Sequence, residues 1–138
     1  MASGANYTKY ADPTPATFMG AEWGGRVSAT HDTYTFASAA AGTAVNVGVL
    51  KPGEVFLTGS VIGADLGSAT TLILADAGDD DRYLAATVFT TAGQTTQCAK
   101  TAGVGYKNDT TADIPIVLKT GVEEATGAVE VIILKAKP

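Results

Sequence analysis

The sequence offers three features with chemistry in them: one histidine, one cysteine and one run of carboxylates. His31 stands in Thr30-His31-Asp32-Thr33, within a stretch whose residues suit a strand, so it reads as a surface or interface residue. Cys98 follows Thr95-Thr96-Gln97 with no second Cys or His near it, and reads as a buried or half-buried thiol. A tetrahedral zinc site needs three or four nitrogen or sulfur ligands, and this chain holds one of each. Serine-hydrolase chemistry needs a Ser on a strained turn beside a His base, and no Gly-x-Ser-x-Gly is present. No glycine-rich phosphate loop occurs; Gly103-Val104-Gly105 is too short to serve as one. Asn6-Tyr7-Thr8 and Asn108-Asp109-Thr110 match the glycosylation pattern, which arises by chance in Thr-rich chains.

The dense cluster is Asp76-Ala77-Gly78-Asp79-Asp80-Asp81-Arg82. Calcium takes six to eight oxygens, but the order of an EF-hand loop is not matched. The reading adopted is a solvated turn in which Asp side chains accept from free backbone N–H groups and Arg82 offsets part of the charge. Asp79, Asp80 and Asp81 are also candidates for contact with a basic partner surface. No catalytic residue, metal or cofactor is expected, and two-carboxylate glycosidase chemistry finds no pocket-forming insertion.

The elements that position these residues are strands. Arg26–Ala37, Thr43–Leu50, Glu54–Ile62, Thr70–Asp76, Arg82–Thr91, Ala112–Thr120 and Gly127–Lys135 are rich in β-branched and aromatic residues or alternate in polarity. Between Gly93 and Asp109 one short strand is expected at Val104–Tyr106. Lys51-Pro52-Gly53 and Ala77–Asp81 read as turns. Pro115 lacks an N–H, which places its strand at an edge or a bulge. The Ala-rich stretch 37–44 is the one helical candidate, and Gly42 cuts it short. Seven or eight short strands with Gly-rich turns predict an all-β domain, a sandwich or a small barrel, over residues 26–138. Residues 1–25, punctuated by Pro13, Pro15, Gly20 and Gly24-Gly25, read as an extended arm. That arm carries Tyr7, Tyr10, Phe18, Met19 and Trp23, too many large side chains for a solvated tail, so it is expected to lie on its own domain or on a neighbour.

Composition narrows the function classes. The 138 residues weigh 13.9 kDa, and nearly half are Ala, Gly, Thr or Ser. Charged residues make up 17%, against about 25% in an ordinary domain. An apolar content of 46% argues against disorder. Heptads are absent, and no apolar run reaches the roughly 18 residues of a membrane span. A net charge of −5 with no basic stripe argues against nucleic-acid binding. No secretory signal is visible, and a single cysteine fits folding in a reducing cytosol.

Three segments carry a resemblance. Val49-Leu50-Lys51-Pro52-Gly53-Glu54-Val55, then Asp65-Leu66-Gly67-Ser68-Ala69-Thr70-Thr71-Leu72, then Asp76 through Leu84 resemble small structural proteins of tailed bacteriophages. The resemblance covers roughly residues 45–90. It implies a non-enzymatic virion component on a jelly-roll-like sandwich, of the head decoration (cement) type and often trimeric. The expected partner is the major capsid protein, the expected place the capsid surface after assembly in the host cytoplasm. Tyr7, Tyr10, Phe18 and Trp23 are then candidate anchors of a clamping arm, and weak repeated contacts would sum by multivalency. The rivals are a neck, tail or fibre-base component and, in a different class, a carbohydrate-binding module using exposed aromatics and the Asp-rich loop.

Overall fold

In a computed structural model, which describes residues 26–137, eight strands form two antiparallel sheets of four. They are β1 (Arg26–Ala39), β2 (Ala44–Leu50), β3 (Val55–Gly63), β4 (Thr71–Asp76), β5 (Asp79–Val88), β6 (Gln94–Gln97), β7 (Ile114–Gly121) and β8 (Ala125–Lys137). One sheet has the order β1-β8-β3-β6, the other β2-β7-β4-β5. The all-β sandwich expected from the strand pattern is what forms. Its order is that of a jelly roll: β1 pairs with β8, β2 with β7, β3 with β6 and β4 with β5, so the ladders nest inside one another. The chain is folded in half about the β4–β5 turn, the one place where consecutive strands share a sheet.

Alternation dictates which side chains enter. In β7, Ile116, Leu118 and Thr120 point inward while Pro115 faces out. In β8, Val129, Val131, Ile133 and Lys135 do the same. These meet Phe36, Leu50, Phe56, Val61, Leu72, Leu74, Tyr83, Leu84 and Phe89 in one core. Phe56 and Tyr83 pack at a tilt of 41° with ring centroids 4.4 Å apart. Cys98 is fully buried in the same core, as a small hydrophobe.

Two sequence expectations need correction. The short strand after Gly93 is Gln94–Gln97, which pairs with Ser60–Gly63; the Val104–Tyr106 window lies in a loop instead. That loop is held flat on the hydrophobic core because Gly103 has no side chain: a Cβ there would sit 2.5 Å from the Arg82 carbonyl oxygen and 2.9 Å from Tyr83 Cα. The acidic turn is also shorter than expected. Only Ala77 and Gly78 turn, and Asp79–Asp81 already belong to β5. Pro115 lies in an interior strand, β7, yet its pairing is one-sided. It faces Val49 of β2, beside a register shift at Asn46/Gly48, whereas the ladder to β4 starts only at Val117. The proline thus occupies a local edge. Gly53, at φ 80°, supplies the positive dihedral that the Lys51-Pro52-Gly53 turn calls for.

Nested ladders close only by bringing residues far apart in sequence together, which is slow. Refolding by stopped-flow fluorescence is therefore expected on the millisecond-to-second scale, not in microseconds. Gly103→Ala should lower stability by about 1–3 kcal/mol in a denaturant titration, since backbone atoms must shift to admit the methyl.

Candidate functional site

The carboxylate cluster sits at the pivot of the nested ladders. Asp76 ends β4 with its side chain buried. Its Oδ1 accepts from the N–H of Gly78 at 2.9 Å and of Asp79 at 3.1 Å, which closes the turn. Its Oδ2 accepts from Arg82 Nε at 2.6 Å and from the Tyr83 hydroxyl at 3.0 Å. The Arg82 guanidinium lies over the Tyr106 ring, 3.9 Å from the centroid. Burial acts to raise the Asp76 pKa, but the Arg82 hydrogen bond and charge and the Gly78 and Tyr83 donors outweigh it and hold the carboxyl below the usual range. Burial, followed by the Asp76 charge, pushes the Tyr83 hydroxyl far up. Backbone satisfaction by Asp and neutralisation by Arg82 are thus as the sequence suggested. The hairpin brings Arg82 back to Asp76.

The other three carboxylates point elsewhere. Asp79 Oδ1 accepts from the Asp81 N–H at 3.2 Å. Asp80, the most exposed of them, accepts from Lys119 Nζ at 2.9 Å, the lysine reaching from β7 across β4. Asp81 is ion-paired with Lys100. Asp80 and Asp81 are therefore partnered within the domain, and a basic partner must compete with Lys119 and Lys100. Among the described residues no group of three or more His, Cys, Asp or Glu is arranged to hold a metal ion. Tyr7, Tyr10, Phe18 and Trp23 lie outside the described residues.

The reactive singletons fall where the sequence put them. His31 is exposed on β1 with Nε2 3.2 Å from Glu130 Oε2. Burial pushes the Cys98 thiol up to about 12, so at neutral pH it offers almost no thiolate to act as a nucleophile. Cys98, Leu57, Gln97 and Val104 line a shallow groove of about 440 Å³ at the β3–β6 margin, which holds no other ionisable group. Asn108 is fully buried: Nδ2 donates to Leu50 O at 2.7 Å and Ala112 O at 2.8 Å, and Oδ1 accepts from Thr110. That leaves the Asn108 triplet no accessible amide. Among the described aromatics only Tyr34 is exposed, edge-on to Phe36 at 5.0 Å, so they form no flat carbohydrate platform.

Sequence reasoning missed a second buried ion pair. Lys135 Nζ donates to Glu54 Oε2 at 2.9 Å and to Val49 O at 2.8 Å, and the same Glu54 oxygen accepts from the Lys51 N–H at 2.7 Å. This tripod ties β8 of one sheet to β2 of the other. A lone Lys inside the apolar run Val131–Leu134 to Ala136 was the available signal, because a buried lysine demands a partner.

Comparison with known proteins was informative only at the level of structure. No protein-family model matches the sequence, and no curated protein matches it. A chain of the cyanophage Pam1 capsid asymmetric unit aligns with a TM-score of 0.71 at 22% identity, over 84% of this chain and 88% of that one. The fold is one that bacteriophage capsids contain. A chain in the capsid of Ralstonia phage GP4 aligns with a TM-score of 0.63 at 20% identity, over 83% of this chain and 86% of that one.

Removing the Asp76 carboxylate leaves the half-buried Arg82 unpaired and the turn donors unmet. Asp76→Ala should cost about 3–5 kcal/mol, read from chemical denaturation. The pH dependence has a definite sign. The folded pKa of Asp76 lies below its unfolded value near 3.8, so its contribution is complete above that value and lost as pH falls through the folded pKa. Glu54, whose pKa is lowered despite its burial by Lys135 and Lys51, behaves the same way from 4.5. The melting temperature should therefore fall steeply below about pH 4, and Asp76→Asn should flatten part of that slope.

Proposed function

We propose that this chain is a non-enzymatic structural protein of a bacteriophage virion, and that within the virion it is a decoration protein bound to the outer surface of the major capsid protein lattice. The observation that carries the reading is the fold match, which spans most of both chains. The Pam1 capsid chain therefore has about the length of this one, with no large extra domain beside the jelly roll. The segments resembling phage structural proteins, found in the sequence independently, point the same way.

The chemistry of the domain is consistent with covering a surface. The buried charged groups Asp76, Arg82, Glu54 and Lys135 are consumed in holding turns and sheets together. Among the described residues, Ala and Thr are the commonest exposed types, small side chains that a neighbour can pack against closely. On this reading residues 1–25 form a clamp to the lattice, with Tyr7, Tyr10, Phe18 and Trp23 as anchors and a homotrimer as the unit attached. Many equivalent sites then make weak individual contacts sufficient.

The test is reconstitution on heads that lack the protein. The full chain is expected to bind saturably to the outer surface and to raise the temperature at which heads release their contents. Deletion of residues 2–25 should leave the sandwich folded while weakening attachment about tenfold or more. A full chain that does not bind its own phage's heads overturns the decoration reading; a truncated chain that binds as tightly overturns the clamp.

A further inference from the structure

A jelly roll leaves four open strand edges, and open edges invite pairing with other chains unless they are blunted. Among the described residues, three of the four are blunted here. β6 is only 4 residues long. β2 carries a register shift at Asn46/Gly48. β5 has two shifts in its ladder and begins with three consecutive aspartates. β1 is the least protected, its one register shift lying at its C-terminal end, between Phe36 and Ala39. It is the longest strand, at 14 residues, and runs in unbroken register against β8 from Arg26 to Phe36. It contains no proline, glycine or lysine. Its side chains from Val27 to Thr35 are exposed on both faces apart from Thr30, with Val27 at 64% and Tyr34 at 41% among the few exposed large hydrophobics.

We infer that the free edge of β1 is a strand-pairing interface for β1 of a second copy of this chain, joining two four-stranded sheets into one. Antiparallel pairing about a two-fold axis normal to the sheet keeps each side chain on its own face. Even-numbered residues must therefore meet even ones and odd meet odd. Setting Thr30 against Thr30 then places Ser28 against Asp32, Ala29 against His31 and Val27 against Thr33. Thr–Thr pairs are favourable cross-strand neighbours, and the Ser28 hydroxyl can donate to the Asp32 carboxylate. Sliding one step toward the C-terminus opposes His31 to His31, and the next step opposes Asp32 to Asp32. Within the regular stretch Arg26–Phe36, the Thr30-centred register is the longest that sets neither His31 nor Asp32 against itself. The sequence of β1 is thus charge-compatible with its own copy. The inference rests on the strand edges alone and does not need the capsid reading; closed trimers joined through β1 give a hexamer.

The experiment is solution mass of the full chain by light scattering and sedimentation, up to millimolar concentration. An even multiple of 13.9 kDa is expected. Two double variants at exposed positions, Val27→Lys with Thr33→Lys and Val27→Glu with Thr33→Glu, should each halve the mass while keeping the circular dichroism of the parent. Mixing them in equal amounts should restore it. In addition, Thr30→Cys should cross-link to its own copy on mild oxidation, whereas the parent, whose one cysteine is buried, should not. A monomeric or odd-numbered parent, variants that keep the parent's mass, or a Thr30→Cys chain that does not cross-link each overturns the inference.

Discussion

Four donors converge on one buried carboxylate. Gly78 and Asp79 N–H groups on one oxygen and Arg82 and Tyr83 on the other make Asp76 the point about which the chain folds in half. The β4–β5 hairpin is the innermost of the nested ladders, so the register of β3 with β6, β2 with β7 and β1 with β8 builds outward from it. Tyr83 transmits the constraint inward, since it hydrogen-bonds Asp76 and packs against Phe56 of the opposite sheet. Arg82 transmits it sideways through Tyr106 to the long loop before β7. The Lys135–Glu54 pair does for the far end what Asp76 does for the pivot, locking β8 to the β2–β3 turn.

Much of the fold was legible because its strands obey simple rules. Val45, Val47 and Val49 alternate, and β8 is a long apolar run closed by lysines, so their existence follows from pattern. β6 was not legible, because Gln94-Thr95-Thr96-Gln97 has no apolar residue and becomes a strand only by pairing with Ser60–Gly63. Val104–Tyr106 looks like a strand, but Gly103 presses against Tyr83 and Gly105 adopts φ 83°, both of which end extended structure there. Which strand pairs with which is a tertiary property, and the sequence of any one strand does not contain it. In the acidic cluster, the turn and the role of aspartate as a backbone acceptor could be read locally. The pairing of Asp80 with Lys119 and of Asp81 with Lys100 could not, since each needs a distant segment to arrive.

These contacts also explain why a chain with so few reactive groups spends its charges as it does. Carboxylates that suggest a binding loop in the sequence are occupied in the fold, and the single thiol and Asn108 are interior packing. Among the described residues, β1 is the longest and most regular of the four edge strands. On the proposed capsid role, an edge of that kind is suited to being covered by a neighbour in a symmetric assembly.

The proposed capsid-surface role is tested most directly by a cryo-electron microscopy reconstruction of the particles into which this chain assembles. The account predicts repeated eight-stranded jelly-roll density on the outside of the shell, contacting the major capsid protein at equivalent lattice positions. Density for this chain confined to the neck, tail or fibre base, or none on the shell, would contradict it.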